Sequence, residues 1–211
     1  MDEVIDLTFV ALGDSLTAGY VPYAPMNPMD HVFPYTAYLD NAVIAEQSRR
    51  GWEHVHCTFV NRGVNGDSTK GMLSRFDSEV ASLEPDYVIV WAGINDLFLG
   101  FPLDEIMGRL QQIYSKAREH GIEPVACTVT SITSESPVMA RIVELNALIR
   151  GYCTENHVPV ADLFNALSDR SGLLLENFSS DGVHLNADGN RRVADTVYSE
   201  VVEPILYGLV R

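Results

Sequence analysis

Lysine is almost missing from this chain. Lys70 and Lys116 stand alone, and with arginine they make 14 basic residues against 29 acidic ones, a net charge of −15. Such a field repels phosphate backbones and anionic lipid headgroups, which argues against nucleic acid or a membrane surface as partner. Two explanations of the acidity stay open, an ordinary solvated surface and adaptation to high salt. Cysteine is scarce too. Cys57, Cys127 and Cys153 are odd in number, lack metal-ligand spacing and each lie in an apolar stretch, so they read as small core residues and not as a disulfide framework. No apolar run reaches the length that crosses a bilayer, and the start Met-Asp-Glu-Val-Ile-Asp has neither the basic end nor the apolar run of a secretory signal. The expectation is a soluble, cytoplasmic protein without membrane insertion.

What is present is the composition of a globular protein. The 211 residues are 46% hydrophobic and 20% charged, with no low-complexity tract, internal repeat or linker-like stretch, which fits a single domain over residues 1–211. Short β-branched or aromatic runs at 7–12, 55–60, 87–91, 124–129 and 158–162 are predicted strands. Their nearly continuous apolar character suits strands covered on both faces, as in a parallel sheet. Between them, 35–50, 69–83, 104–120, 138–156 and 188–207 carry apolar residues at three-to-four spacing and are predicted helices. Ser68 and Asp188 suit helix N-caps, His120-Gly121 and Arg150-Gly151 suit turns or helix ends, and Gly151 is a weak point in the fourth helix. The alternation predicts a three-layer α/β/α sandwich around a five-stranded parallel sheet, with ligands bound beyond the carboxyl ends of the strands. One irregular stretch, 21–34, holds Pro22, Pro25, Pro28 and Pro34, and both a wall of the site and a rigid surface loop fit it.

Chemistry-bearing residues do fall after the strand candidates. Gly13-Asp14-Ser15-Leu16-Thr17 puts a hydroxyl at the first strand end, a plausible nucleophile if a base and oxyanion donors exist elsewhere; the Gly-x-Ser-x-Gly elbow is absent, because Thr17 takes its last position. Ser180-Asp181-Gly182-Val183-His184 puts a carboxylate and an imidazole three residues apart, so that the one can orient the other. Metal binding is the rival use of that pair, but no second His or carboxylate cluster accompanies it. The second strand is followed by Asn61-Arg62-Gly63-Val64-Asn65-Gly66-Asp67-Ser68 and the third by Ala92-Gly93-Ile94-Asn95-Asp96. An Asn amide is a neutral donor, and a glycine lets a backbone N–H approach an oxyanion closely. Ser68 directly precedes a predicted helix and reads as its cap; Asp14 and Asp96 read as turn-forming or supporting residues.

These blocks, GDSLT, NRGVNGDS, GIND and DGVH, resemble in order and chain position those of the SGNH, or GDSL, hydrolase family, from Gly13 to His184. The resemblance implies a flavodoxin-like α/β/α fold with strand order 2-1-3-4-5 and ester or thioester hydrolysis without a metal or cofactor. By motif it makes Ser15 the nucleophile, Asp181 and His184 its triad partners, and the Ser15 backbone N–H, Gly66 and Asn95 the oxyanion hole. Gly66 is preferred to Gly63 because the family places its donor glycine just before the Asp-Ser/Thr pair. The walls of the site are expected from 20–35, 97–102 and 131–137, where Tyr20, Tyr23, Phe33 and Tyr35 serve either substrate or core. With no continuous apolar lid and a strongly acidic chain, short acyl esters or carbohydrate O-acetyl esters are the expected substrates. A lysophospholipase or acyl-thioesterase of the same family is the alternative, and a non-catalytic binding domain a third reading. Oligomeric state is not readable from the residues.

Overall fold

In the computed structural model, residues 4–22 and 34–210 are described. Among them the strands β1 (Ile5–Gly13), β2 (Val55–Gly63), β3 (Tyr87–Trp91), β4 (Glu123–Cys127) and β5 (Val160–Ala161) form one parallel sheet of order β2-β1-β3-β4-β5. The inner strands are buried almost without a break, as strands covered on both faces must be. β2, at the sheet edge, is only half-buried along most of its length. Phe59, Phe9 and Tyr87 stack across β2, β1 and β3 with ring centroids 5.0 and 4.8 Å apart.

Helices cover both faces. α1 (Ser15–Ala18) follows β1 directly, and α2 (Tyr35–Arg50) leads on to β2. On the opposite face lie α3 (Thr69–Glu79), α5 (Leu103–Glu119) and α6 (Pro137–Asn156), with the short α4 (Ile94–Phe98) after β3. α5 shows why such segments are helical: Ile106, Met107, Leu110, Ile113, Tyr114 and Ala117 fall on one stripe, and that stripe is buried. α7 (Leu163–Leu167) precedes the last helix, which runs as α8 (Ala187–Val197), a π-helical turn (Tyr198–Val202) and α9 (Glu203–Leu209), packed against α2. The end of α2 grips that last helix. The Arg50 guanidinium lies 5.1 Å from the Trp52 ring centroid and 4.7 Å from that of Tyr207, and it pairs with Glu46 and Glu203.

The chain leaves β1 towards one edge of the sheet and returns to build the other, so a crevice opens at the carboxyl ends of β1 and β3. Gly13, the last residue of β1, pairs with Gly63 on one side and Trp91 on the other, which brings the segments after β1, β2 and β3 to one place.

Several expectations need correction. The predicted helix 69–83 ends at Glu79, and a tight turn, Ala81–Leu83, follows the non-helical Val80. Gly151 neither ends nor breaks α6: it sits on the exposed face with open space around it, while Ile149 and Cys153 hold the inner face in the core. Asp188 is not the cap of the last helix, because the Asn186 carboxamide oxygen takes the N–H groups of Asp188 and Gly189 at 3.0 Å each. The fifth strand is two residues long. Cys127 and Cys153 are buried, but Cys57 is only partly so, being on the edge strand. Burial pushes the Cys57 thiol up to about 12, which keeps it protonated and unreactive at neutral pH. Most of the proline-rich stretch, with Tyr23 and Phe33, lies outside the described residues.

Candidate active site

Ser15 stands at the first turn after β1. The Asp14 side chain takes the Leu16 N–H at 2.9 Å and so caps α1, leaving Ser15 almost buried at the floor of the crevice. Ser15 Oγ is 3.1 Å from His184 Nε2, and His184 Nδ1 is 2.7 Å from Asp181 Oδ2, although the serine and histidine are 169 positions apart. With the proton of the imidazole on Nδ1, that nitrogen donates to Asp181 and Nε2 is left to accept from the serine hydroxyl. The other Asp181 oxygen accepts the Val183 and His184 backbone N–H groups at 3.0 and 2.7 Å. Burial works against ionisation of Asp181, but the His184 ring and those two N–H groups outweigh it and hold the carboxyl below its ordinary range.

The acid–base turn is stitched by one hydroxyl. Ser179 Oγ donates to the His184 carbonyl at 2.8 Å and accepts from Gly182 N at 2.9 Å, and Ser179 also bridges to Leu185. Thr133, after β4, meets the turn from outside by donating its N–H to the Gly182 carbonyl. Tyr20 stands edge-on to the His184 ring, centroids 5.0 Å apart, and remains largely exposed. Of the other predicted wall residues, Tyr35 is core, packed edge-on to Trp91, whereas Phe98 and Leu99 are exposed after β3.

The candidate oxyanion donors gather opposite the histidine. Asn95, in α4, donates from Nδ2 to the Asp67 carbonyl at 2.9 Å, which fixes the plane of its amide, and the same nitrogen lies 3.4 Å from Asp14 Oδ2. The two glycines of the second block differ in kind. A Cβ on Gly63 would lie 2.1 Å from Ala18 N, so Gly63 is needed for α1 to pack on β2. Gly66 is exposed, with φ 75° and open space where a Cβ would stand, so no close packing requires it to be glycine, whereas its left-handed backbone does. Among the described residues, neither the Ser15 nor the Gly66 N–H donates to a protein acceptor. Ser68 is the N-cap of α3, as expected.

Three carboxylates support this half of the site. Asp96 is fully buried and accepts from Thr69 N at 2.9 Å and Thr69 Oγ1 at 2.6 Å, with Arg109 nearby. Asp67 receives Arg75 Nε at 2.7 Å. Among the described residues no cation pairs with Asp14; burial first, and then the nearby charges of Asp67 and Asp96, push it up to about 7. Two polar residues the sequence reading passed over also contribute. Arg75 reaches the Gly13 carbonyl at 2.9 Å, and the buried Asn146 binds Val129 N and O at 2.7 and 2.8 Å, continuing the direction of β4 into the loop beside the site. Each carries the same signal in the sequence, a polar residue on the apolar stripe of its helix: Arg75 three after Met72, Asn146 between Leu145 and Ile149.

Comparison with known proteins follows this geometry. Residues 11–192 match the GDSL-like lipase/acylhydrolase family. The chain is 25% identical over 189 residues, covering 89% of its length and 80% of the relative, to a thioesterase 1/protease 1/lysophospholipase L1 of Escherichia coli K12. It is 30% identical over 99 residues to an N-acylneuraminate cytidylyltransferase of Streptococcus agalactiae; the match takes in 46% of this chain and 24% of that protein, so it spans about a quarter of its length. In fold it superposes on an acetylxylan esterase of Geobacillus stearothermophilus with a TM-score of 0.75 at 18% identity, covering 95% of this chain and 96% of the other. Among the described residues no helix is long and apolar enough to cross a membrane. The chain belongs to the GDSL-like lipase/acylhydrolase family.

Proposed function

We propose that the protein hydrolyses short acyl esters, including O-acetyl groups on carbohydrates, through an acyl-enzyme on Ser15. The observation that carries this reading is the continuous chain Ser15 Oγ, His184 Nε2, His184 Nδ1, Asp181 Oδ2, with links of 3.1 and 2.7 Å. In the reaction His184 takes the proton of Ser15 as its oxygen attacks the ester carbonyl carbon. The Ser15 and Gly66 N–H groups and the Asn95 amide receive the oxyanion of the tetrahedral intermediate. As the intermediate collapses, His184 returns the proton to the departing alcohol, and a water molecule repeats the sequence on the acyl-enzyme. Neutral donors aimed at a charge that exists only in the transition state are worth about 2.7–4 kcal/mol each.

The substrate class is supported by the surroundings of the serine. Tyr20 offers an exposed ring beside His184, on which a sugar face can stack. The net charge of −15 disfavours anionic lipid surfaces and leaves neutral esters. A fold neighbour is named as an acetylxylan esterase, and a relative matched over a quarter of its length is named as an N-acylneuraminate cytidylyltransferase. A second reading, a thioesterase or lysophospholipase, has the Escherichia coli relative behind it and the exposed Phe98 and Leu99 as an acyl-binding surface. Rates over p-nitrophenyl esters from C2 to C12 separate the two, since a steady rise beyond C8 would defeat the acetylesterase reading. Labelling by a fluorophosphonate, and its loss in Ser15→Ala together with turnover of p-nitrophenyl acetate, tests the serine itself. Full activity in Ser15→Ala would sink the mechanism.

A further inference from the structure

We propose that Arg75 is a positioning residue for ester hydrolysis, locking the three oxyanion donors into a single frame. The inference rests on the reading of Ser15, Gly66 and Asn95 given above. Arg75 projects from α3 and its side chain is mostly buried, at 16% exposure. Its Nη2 donates to the carbonyl of Gly13, two residues before the Ser15 N–H, and its Nε to the carboxylate of Asp67, the residue after Gly66. The Asp67 carbonyl in turn receives the Asn95 amide at 2.9 Å. The Gly13 carbonyl also accepts Val64 N at 3.0 Å, and Asp67 N closes the loop on the Val64 carbonyl at 3.1 Å, so the Gly66 loop is tied to the end of β1 directly at Val64 and through Arg75 at Asp67. Each donor is thus one hydrogen bond or at most two residues from a group the guanidinium holds.

The alternative, that Arg75 merely anchors α3, explains less. α3 already has its cap in Ser68, and the Thr69–Asp96 bonds fasten its first turn. Nη1 of Arg75 is buried with no partner among the described residues, a cost that a residue selected for stability alone would not carry. What the guanidinium supplies is shape: a rigid fork that bridges a carbonyl and a carboxylate at fixed separation, which an ammonium on a flexible stem does not reproduce.

The test is steady-state kinetics on p-nitrophenyl acetate for Arg75→Met, Arg75→Lys and Asp67→Asn, beside Ser68→Ala, which loosens the start of α3 without touching the fork. Arg75→Met is expected to lower kcat roughly 10- to 100-fold, less than removal of a donor itself, with KM within about twofold. Arg75→Lys should recover little of this. Guanidinium ion added to Arg75→Ala should restore part of kcat, while the pH profile keeps its wild-type shape because His184 and Asp181 are untouched. Ser68→Ala should lower the melting temperature and keep most of kcat. Should Arg75→Met fail to fold, Arg75→Lys and Asp67→Asn decide on the same criterion. Wild-type kcat in folded Arg75 variants, or a loss of kcat in Ser68→Ala equal to theirs, overturns the proposal while leaving the Ser15 mechanism intact. Full activity in Ser15→Ala would instead remove the reading on which it rests.

Discussion

The two halves of the site are built in opposite ways. The proposed oxyanion half is assembled from the ends of three adjacent strands, locked by buried carboxylates, an arginine fork and backbone bonds that cross between segments. The acid–base half is one short turn, 179–185, closed on itself by the Ser179 hydroxyl and the Asp181 carboxylate. Tertiary structure determines the first, whereas local sequence determines the second. A substitution in the first should therefore reach several donors at once, and one in the second should stay where it is made.

The comparison can be broken most severely at Asp181. Asp181→Asn keeps the turn but favours the wrong tautomer of His184, and kcat on p-nitrophenyl acetate should fall by about 10⁴-fold with little change in fold. Asn95→Ala removes one donor and should cost roughly 10²–10³ in kcat, with KM nearly unchanged. If KM rises and kcat holds, the amide binds the ground state and is no oxyanion donor.

Asp14 sharpens the contrast through stability. Its carboxyl, buried beside Asp67 and Asp96 with Arg75 and Arg109 just beyond them, is raised from 3.8 to about 7. The folded state therefore keeps a proton that the unfolded chain has lost, and its contribution, complete below about 4, declines as pH rises to about 7 and is level above. Thermal melts of Asp14→Asn against the parent should show a difference that grows in the variant's favour between those pH values; a difference that shrinks would contradict the assignment. The smallest effect belongs to Ser179→Ala, expected to lower kcat by less than about tenfold, since Asp181 still holds the Val183 and His184 N–H groups. A loss as large as that of Asp181→Asn would show that the Ser179 hydroxyl, and not the Asp181 carboxylate, holds the turn in shape.

What was legible in the sequence follows the same division. The proposed triad and donor residues sit in contiguous blocks, so their spacing could be read directly. β1, β3 and β4 showed as unbroken apolar runs because both their faces are covered. α1, α4 and α7, four or five residues each, are too short to display a helical period, and none was foreseen. Arg75 and Asn146 act through partners 62 and 17 positions away, and while a polar residue on an apolar stripe marks each of them, no local pattern names the partner. Tyr35 and Tyr20 show the limit for single residues: two aromatics of one predicted wall, of which one is core and the other rests beside the histidine.

The grip of Arg50 on Trp52, Tyr207 and Glu203 lies at the far end of the last helix from His184. That helix begins just after the turn that carries Asp181 and His184, and it is docked against α2. Loosening of the final helix from α2 is therefore expected to open the 3.1 Å link between Ser15 and His184 before the sheet unfolds, which loss of turnover ahead of the main thermal transition would show.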